Sequence, residues 1–234
     1  MRPTSFQQTR TLPTRAGRLL GAGLCVIAAL GLFLGCGTSE EQKKKADGYY
    51  GEGMAHLSTD RQRAFVNFQK AVKENPKHRD AHYSLAHLYA LQGKLDQAEE
   101  ELKITISIDP NYSEAHNYLG DVYAMQGHWR KAIPEYREAL TNPLYPTPDV
   151  PLYNLGVALA QEGDMAGAAQ AFEDALRVSP LSVPATKLHL ELGRAYYRLG
   201  DDSKAREQLA QVTSLDKESR EAAAASVLLE RLTR

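Results

Sequence analysis

The sequence predicts an all-α protein, a right-handed superhelical solenoid of about five stacked helix pairs closed by a C-terminal capping helix. Three observations predict it. A set of leucine, small and aromatic residues recurs at an offset of 34, glycines mark the turn of four copies and prolines the end of three, and an alanine holds one position in every second half. A fixed period of this size marks a repeat architecture and is read before any local motif.

The first 35 residues stand apart from that pattern. Arg2, Arg10, Arg15 and Arg18 occur there without an acid, and an apolar run from Leu19 to Leu34 follows. This is the layout of a secretory signal peptide, assigned here to residues 1–35. The run is interrupted by Gly21, Gly23 and Gly31 and falls short of the ~20 residues a permanent membrane helix needs. Its end, Leu32-Phe33-Leu34-Gly35-Cys36, resembles a bacterial lipobox, in which the cysteine is diacylated and exposed by cleavage. Each buried methylene adds about 0.8 kcal/mol of membrane affinity, so two or three chains anchor stably where one does not. Gly37 follows Cys36 where an aspartate would signal retention at the inner membrane. The resemblance therefore implies a lipid anchor on the periplasmic face of the outer membrane.

Residues 36–46, polar after the cysteine, read as a solvated tether. Losing the four leader arginines turns 28 basic against 29 acidic residues into 24 against 29, a net charge of −5. Nucleic acid is not expected as a partner. Cys25 leaves with the leader and Cys36 carries lipid, so the mature chain holds no disulfide and depends on packing.

Residues 47–219 carry the repeats. Positions 79–112 contain Leu85, Ala86, Tyr89, Gly93, Ala98, Leu102 and Pro110, and positions 113–146 repeat the first six of them at an offset of 34 as Leu119, Gly120, Tyr123, Gly127, Ala132 and Tyr136, with Ala139 one turn further on. Two further copies follow, with Leu155, Gly156, Leu159, Gly163, Ala168 and Phe172, then Leu192, Gly193, Tyr196, Gly200, Ala205 and Leu209. A degenerate copy precedes them, with Gly53, Ala64, Phe68, Ala71 and Pro76, Glu52 where the others have leucine, and a turn one residue shorter. These residues resemble the tetratricopeptide motif. Leucine, small residue and aromatic fall on one face of a first helix. A glycine ends that helix with the backbone freedom a tight turn needs. The alanine of the second helix allows close approach, and proline closes the unit. One pair cannot bury its apolar face alone, so copies stack.

Two interruptions read as loops, the proline-rich Asn142-Pro143-Leu144-Tyr145-Pro146-Thr147-Pro148 and a three-residue insertion around Val183 to Ala185. Residues 220–234, with four consecutive alanines and then Val227, Leu228, Leu229 and Leu232, read as the capping helix. Pro134 falls inside a second helix, where a kink is expected, and Trp129 opens that helix as a core residue.

Chemistry-bearing patterns are scarce. No HExxH pair, CxxC pair or glycine-rich phosphate loop occurs, so no enzyme, metal, cofactor or small-molecule substrate is expected. His82, His116 and His189 share one repeat position, where the motif holds a bulky residue between helices, and are expected in the core or at its boundary. The functional surface of such a solenoid is the groove lined by its first helices. Residues just off the packing stripe place Tyr50, Met54, Tyr83, His87, Asn117, Asp121, Tyr153, Val157, Leu190, Arg194 and Tyr197 there, aromatic toward the N-terminus and basic near Arg194 and Arg198. Binding is expected in the aromatic half, because rigid aromatics concentrate interface energy.

With the lipobox, repeats that start soon after it, and the proline-rich junction leading into Tyr153-Asn154-Leu155-Gly156, the mature chain is similar to the pilotin lipoproteins of type IV pilus biogenesis, the PilF/PilW family with the related Tgl. That family is described with six repeats, against five and a single helix here. The resemblance implies an outer-membrane factor that binds the pilus secretin, escorts it to the membrane and promotes its multimerisation. A general outer-membrane repeat scaffold for barrel assembly or cell-wall enzymes remains the alternative.

Overall fold

A computed structural model describes residues 38–233, and the leader and Cys36 lie outside the described residues. Among these residues there are eleven helices and no strand. They run α1 (Glu40–His56), α2 (Arg61–Glu74), α3 (Arg79–Leu91), α4 (Leu95–Ile108), α5 (Ser113–Met125), α6 (Trp129–Ala139), α7 (Asp149–Gln161), α8 (Met165–Leu176), α9 (Ala185–Leu199), α10 (Asp202–Leu215) and α11 (Arg220–Leu232). Each odd-numbered helix up to α9 packs most extensively on the helix that follows it, giving five antiparallel pairs. The first helices also touch one another, α5 with α7, α7 with α9 and α9 with α11, so they form one layer of an all-α superhelical repeat fold.

The small residues of the repeat explain this pairing. A Cβ added at Gly120 would lie 2.5 Å from the Tyr136 ring, one at Gly156 2.5 Å from Phe172, and one at Gly193 2.8 Å from Leu209. Each large residue stands sixteen positions after its glycine and fills the space the missing side chain leaves. In the first pair Gly53 receives Phe68, fifteen positions on, as the shorter turn requires. Phe68, Tyr136 and Phe172 are fully buried, as are Ala98, Ala132, Ala168 and Ala205. Burying one such large side chain contributes about 1.5–3 kcal/mol. Gly93, Gly127, Gly163 and Gly200 take φ values of 74°, 76°, 89° and 76° at the turns, a region that a Cβ makes costly.

The three histidines stitch helices together. His82 Nδ1 lies 2.5 Å from a Glu101 carboxylate oxygen and Nε2 3.0 Å from the Pro76 carbonyl. His116 repeats the arrangement with Glu135 at 2.8 Å and Pro110 at 3.0 Å. In both, each ring nitrogen faces an oxygen acceptor. The hydrogen bond to Glu135 raises the pKa of His116. His189 instead meets the neutral side-chain oxygen of Gln208 at 2.8 Å.

The structure corrects the sequence reading in several places. The segment read as a tether is helical from Glu40, because Ser39 and Gln42 form a reciprocal capping box, and Ala46 is buried. Its polar residues are the outer face of a helix, supported by the Lys43–Glu40 and Lys45–Glu41 pairs. Trp129 is only partly buried and rests against the core. Leu190 is 5% exposed and packs with Leu209 and Val212, so it belongs to the core and not to the groove. The helix of Pro134 continues to Ala139. The two interruptions are joined: buried Asp149, at the start of α7, accepts hydrogen bonds from the backbone N–H of Ser182 at 2.6 Å and of Val183 at 2.7 Å.

Candidate functional site

The groove-facing residues divide into two sets. Toward the N-terminus, Tyr83 on α3 is half-buried, with its ring 5.4 Å from that of Tyr112 and 6.0 Å from that of Tyr118 on α5. Exposed His87 stands 5.5 Å from Tyr118. Arg79 lies over the Tyr112 ring at 4.4 Å and is held by Asp80 and Asp109. Burial raises the phenol pKa of Tyr83 and pushes those of Tyr112 and Tyr118 up to about 12. Tyr50 on α1 packs 5.7 Å from Phe68 and 4.9 Å from His78. Among the N-terminal candidates on α1, Met54 stands out at 45% exposed.

A polar bridge follows on α5 and α7. Asp121 accepts hydrogen bonds from the Tyr136 hydroxyl at 2.9 Å and the Asn154 amide at 2.9 Å, and Asn117 takes a longer one from Asn154 at 3.5 Å. Burial pushes the Asp121 pKa up to about 6 despite the Tyr136 bond. Tyr153 packs 5.8 Å from Phe172, with Lys187 4.5 Å from its ring centre. Tyr83 and Tyr153 both pack against the main core, so they do not lie off the packing stripe as the sequence suggested.

The open part of the groove is at the other end. A cleft of about 570 Å³ lies where α7, α9 and α11 run side by side, bounded below by Met165 and Phe172 of α8. Val157, Arg194 and Tyr197, all placed in the groove from sequence, line it together with Arg198, Val227 and Arg231. The cleft size suits a short peptide or a few side chains. Tyr112, Tyr118 and the α11 residues were missed. Tyr112 follows a helix-closing proline, and α11 was read only as a cap, although it continues the layer of first helices. Among the described residues no three His, Cys, Asp or Glu side chains gather in a metal-binding group. What the surface offers is contact area, shape and charge.

Residues 55–121 and 159–229 match the tetratricopeptide repeat family, and residues 113–142 match a further tetratricopeptide repeat signature. The chain belongs to this family. Type IV pilus assembly protein PilF of Pseudomonas aeruginosa is 28% identical to it over 168 residues, which are 68% of this chain and 66% of that protein. The chain thus spans just under two thirds of that relative's length. The solved structure of Pseudomonas aeruginosa PilF superposes with a TM-score of 0.64 at 22% identity, covering 82% of this chain and 94% of that one. PilW, described as a widely conserved type IV pilus biogenesis factor, gives 0.63 at 21% identity over 75% of this chain and 79% of its own. At these identities the structural likeness shows the fold.

Proposed function

We propose that this chain is a type IV pilus biogenesis lipoprotein of pilotin type, which binds the pilus secretin and promotes its outer-membrane localisation and multimerisation. The observation that carries the reading is the similarity to PilF over 168 residues. Gly35-Cys36 at the end of the apolar leader supports it, because a pilotin needs an anchor at the membrane where the secretin inserts. The lipid on Cys36 holds the solenoid on the periplasmic face of the outer membrane, and the groove of first helices grips a segment of the secretin. Two or more acyl chains keep that attachment long-lived.

The experiment is Cys36→Ser in the native host, with cell fractions probed for this chain and for secretin multimers. The expected result is a chain released from the outer membrane or left uncleaved, with secretin failing to accumulate there as multimers. Unchanged outer-membrane fractionation of the variant would overturn the anchor. Secretin multimers at the wild-type level in cells lacking the chain altogether would overturn the pilotin reading.

A further inference from the structure

The cleft between α7, α9 and α11 carries a charge opposite to that of the chain around it. Arg194, Arg198 and Arg231 line it against the single carboxylate of Glu191, which is already held by Arg194 at 2.6 Å. Neither Arg198 nor Arg231 has a carboxylate within salt-bridge distance among the described residues, and the Arg198 guanidinium meets the Met165 sulfur at 3.9 Å. The mature chain read from the sequence is acidic, so this is a local inversion of sign. Arginines on an apolar, partly enclosed wall focus their field into the cleft, and their planar heads suit carboxylates.

The rest of the wall is apolar. Phe172 is 1% exposed and closes the floor, while Val227 at 51% and Tyr197 at 37% leave uncovered surface at the mouth. The aromatics at the N-terminal end are engaged with one another, so uncovered apolar area and uncompensated charge coincide here.

We infer that this cleft binds a partner-protein segment in which carboxylates flank one or two bulky apolar side chains. The apolar side chains seat against Val157, Phe172 and Val227, and the carboxylates pair with Arg198 and Arg231. The inference rests on reading the chain as the holder of a protein partner, and it assigns the chemistry of the segment held.

The test is fluorescence anisotropy on the full chain purified in mild detergent, with a labelled twelve-residue peptide of aspartate and glutamate around two leucines and one phenylalanine. Two control peptides replace its acids by lysine, or its apolar residues by alanine. The expected result is saturable binding of the first peptide, weakened about tenfold or more in each control and in the double variant Arg198→Glu with Arg231→Glu. The milder pair Arg198→Gln with Arg231→Gln should weaken it less and in the same direction, and Arg130→Glu, on a second helix and paired with Glu162, should leave it unchanged. Circular dichroism confirms that each variant is folded. No saturable binding, equal binding of the acidic and lysine peptides, or no effect of either arginine pair would overturn the inference. Failure here with secretin still copurifying would leave the pilotin reading in place. Binding here without secretin copurification would do the reverse.

Discussion

The two ends of the groove are built from similar kinds of residue and put them to different use. On α3, α5 and the residue that caps α5, Tyr83, His87, Tyr118 and Tyr112 spend their faces on one another, with Arg79 compensated by two aspartates. On α7, α9 and α11, Tyr197 and Val227 stay uncovered, and Arg198 and Arg231 have no carboxylate among the described residues. A groove position is therefore open to a partner only where the neighbouring repeat leaves it free. Aromatic content alone does not distinguish a recognition surface from a seam between repeats.

The strongest way to break this comparison is to remove the seam. Tyr83→Ala combined with Tyr118→Ala should cost about 2–4 kcal/mol, from lost burial and lost ring contacts, read by chemical denaturation. A loss under about 0.5 kcal/mol would mean that these rings are surface residues after all.

A middle-sized effect comes from pH. The folded-state pKa of Asp121 is raised to about 6, so its protonated form favours the fold, and that contribution is lost as pH rises toward and through 6. His116 is raised above its ordinary value by Glu135, so its contribution is complete below about 6.5 and is lost as pH climbs through the raised value. Both signs agree. The thermal midpoint should fall between pH 5 and pH 8, by the equivalent of about 1–2 kcal/mol. Asp121→Asn should flatten the lower part of that window and His116→Gln the upper part. A midpoint that rises with pH would contradict both assignments.

The smallest effect belongs to the open end. Arg194→Ala and Tyr197→Ala should each change stability by no more than about 0.5 kcal/mol, because these side chains line a cleft and hold no other helix in place. A larger loss in thermal or chemical unfolding would erase the distinction between the two ends.

Much of the fold was legible in the sequence because its determinants are local and periodic. Gly120, Gly156 and Gly193 announce where a second-helix residue must enter, and Gly93, Gly127, Gly163 and Gly200 mark the turns. Residues 40–46 were misread, because a polar run that coats one helix face has the same composition as a solvated tether. Ser39 with Gln42 was the signal that would have told them apart. Asp149 could not be placed, since its partners at 182 and 183 are reached only through the stacking of repeats. The same holds for the groove. Tyr83 and Tyr197 are both first-helix tyrosines beside the packing stripe in the sequence, and only the residues across the seam decide that one is enclosed and the other open. Leu190 was misplaced for a related reason: α11 covers it, and α11 is where the regular pattern ends.

The central claim is that the partner is held at the open, C-terminal end of the groove, and site-specific photocrosslinking in intact cells tests it most directly. A benzophenone side chain placed at Tyr197, and separately at Tyr118, would be irradiated and the chain examined for covalent protein adducts. The account predicts a discrete adduct from position 197 and none from 118, with both variants present at wild-type levels. An adduct from 118 with none from 197 would contradict it and place the partner on the aromatic end instead.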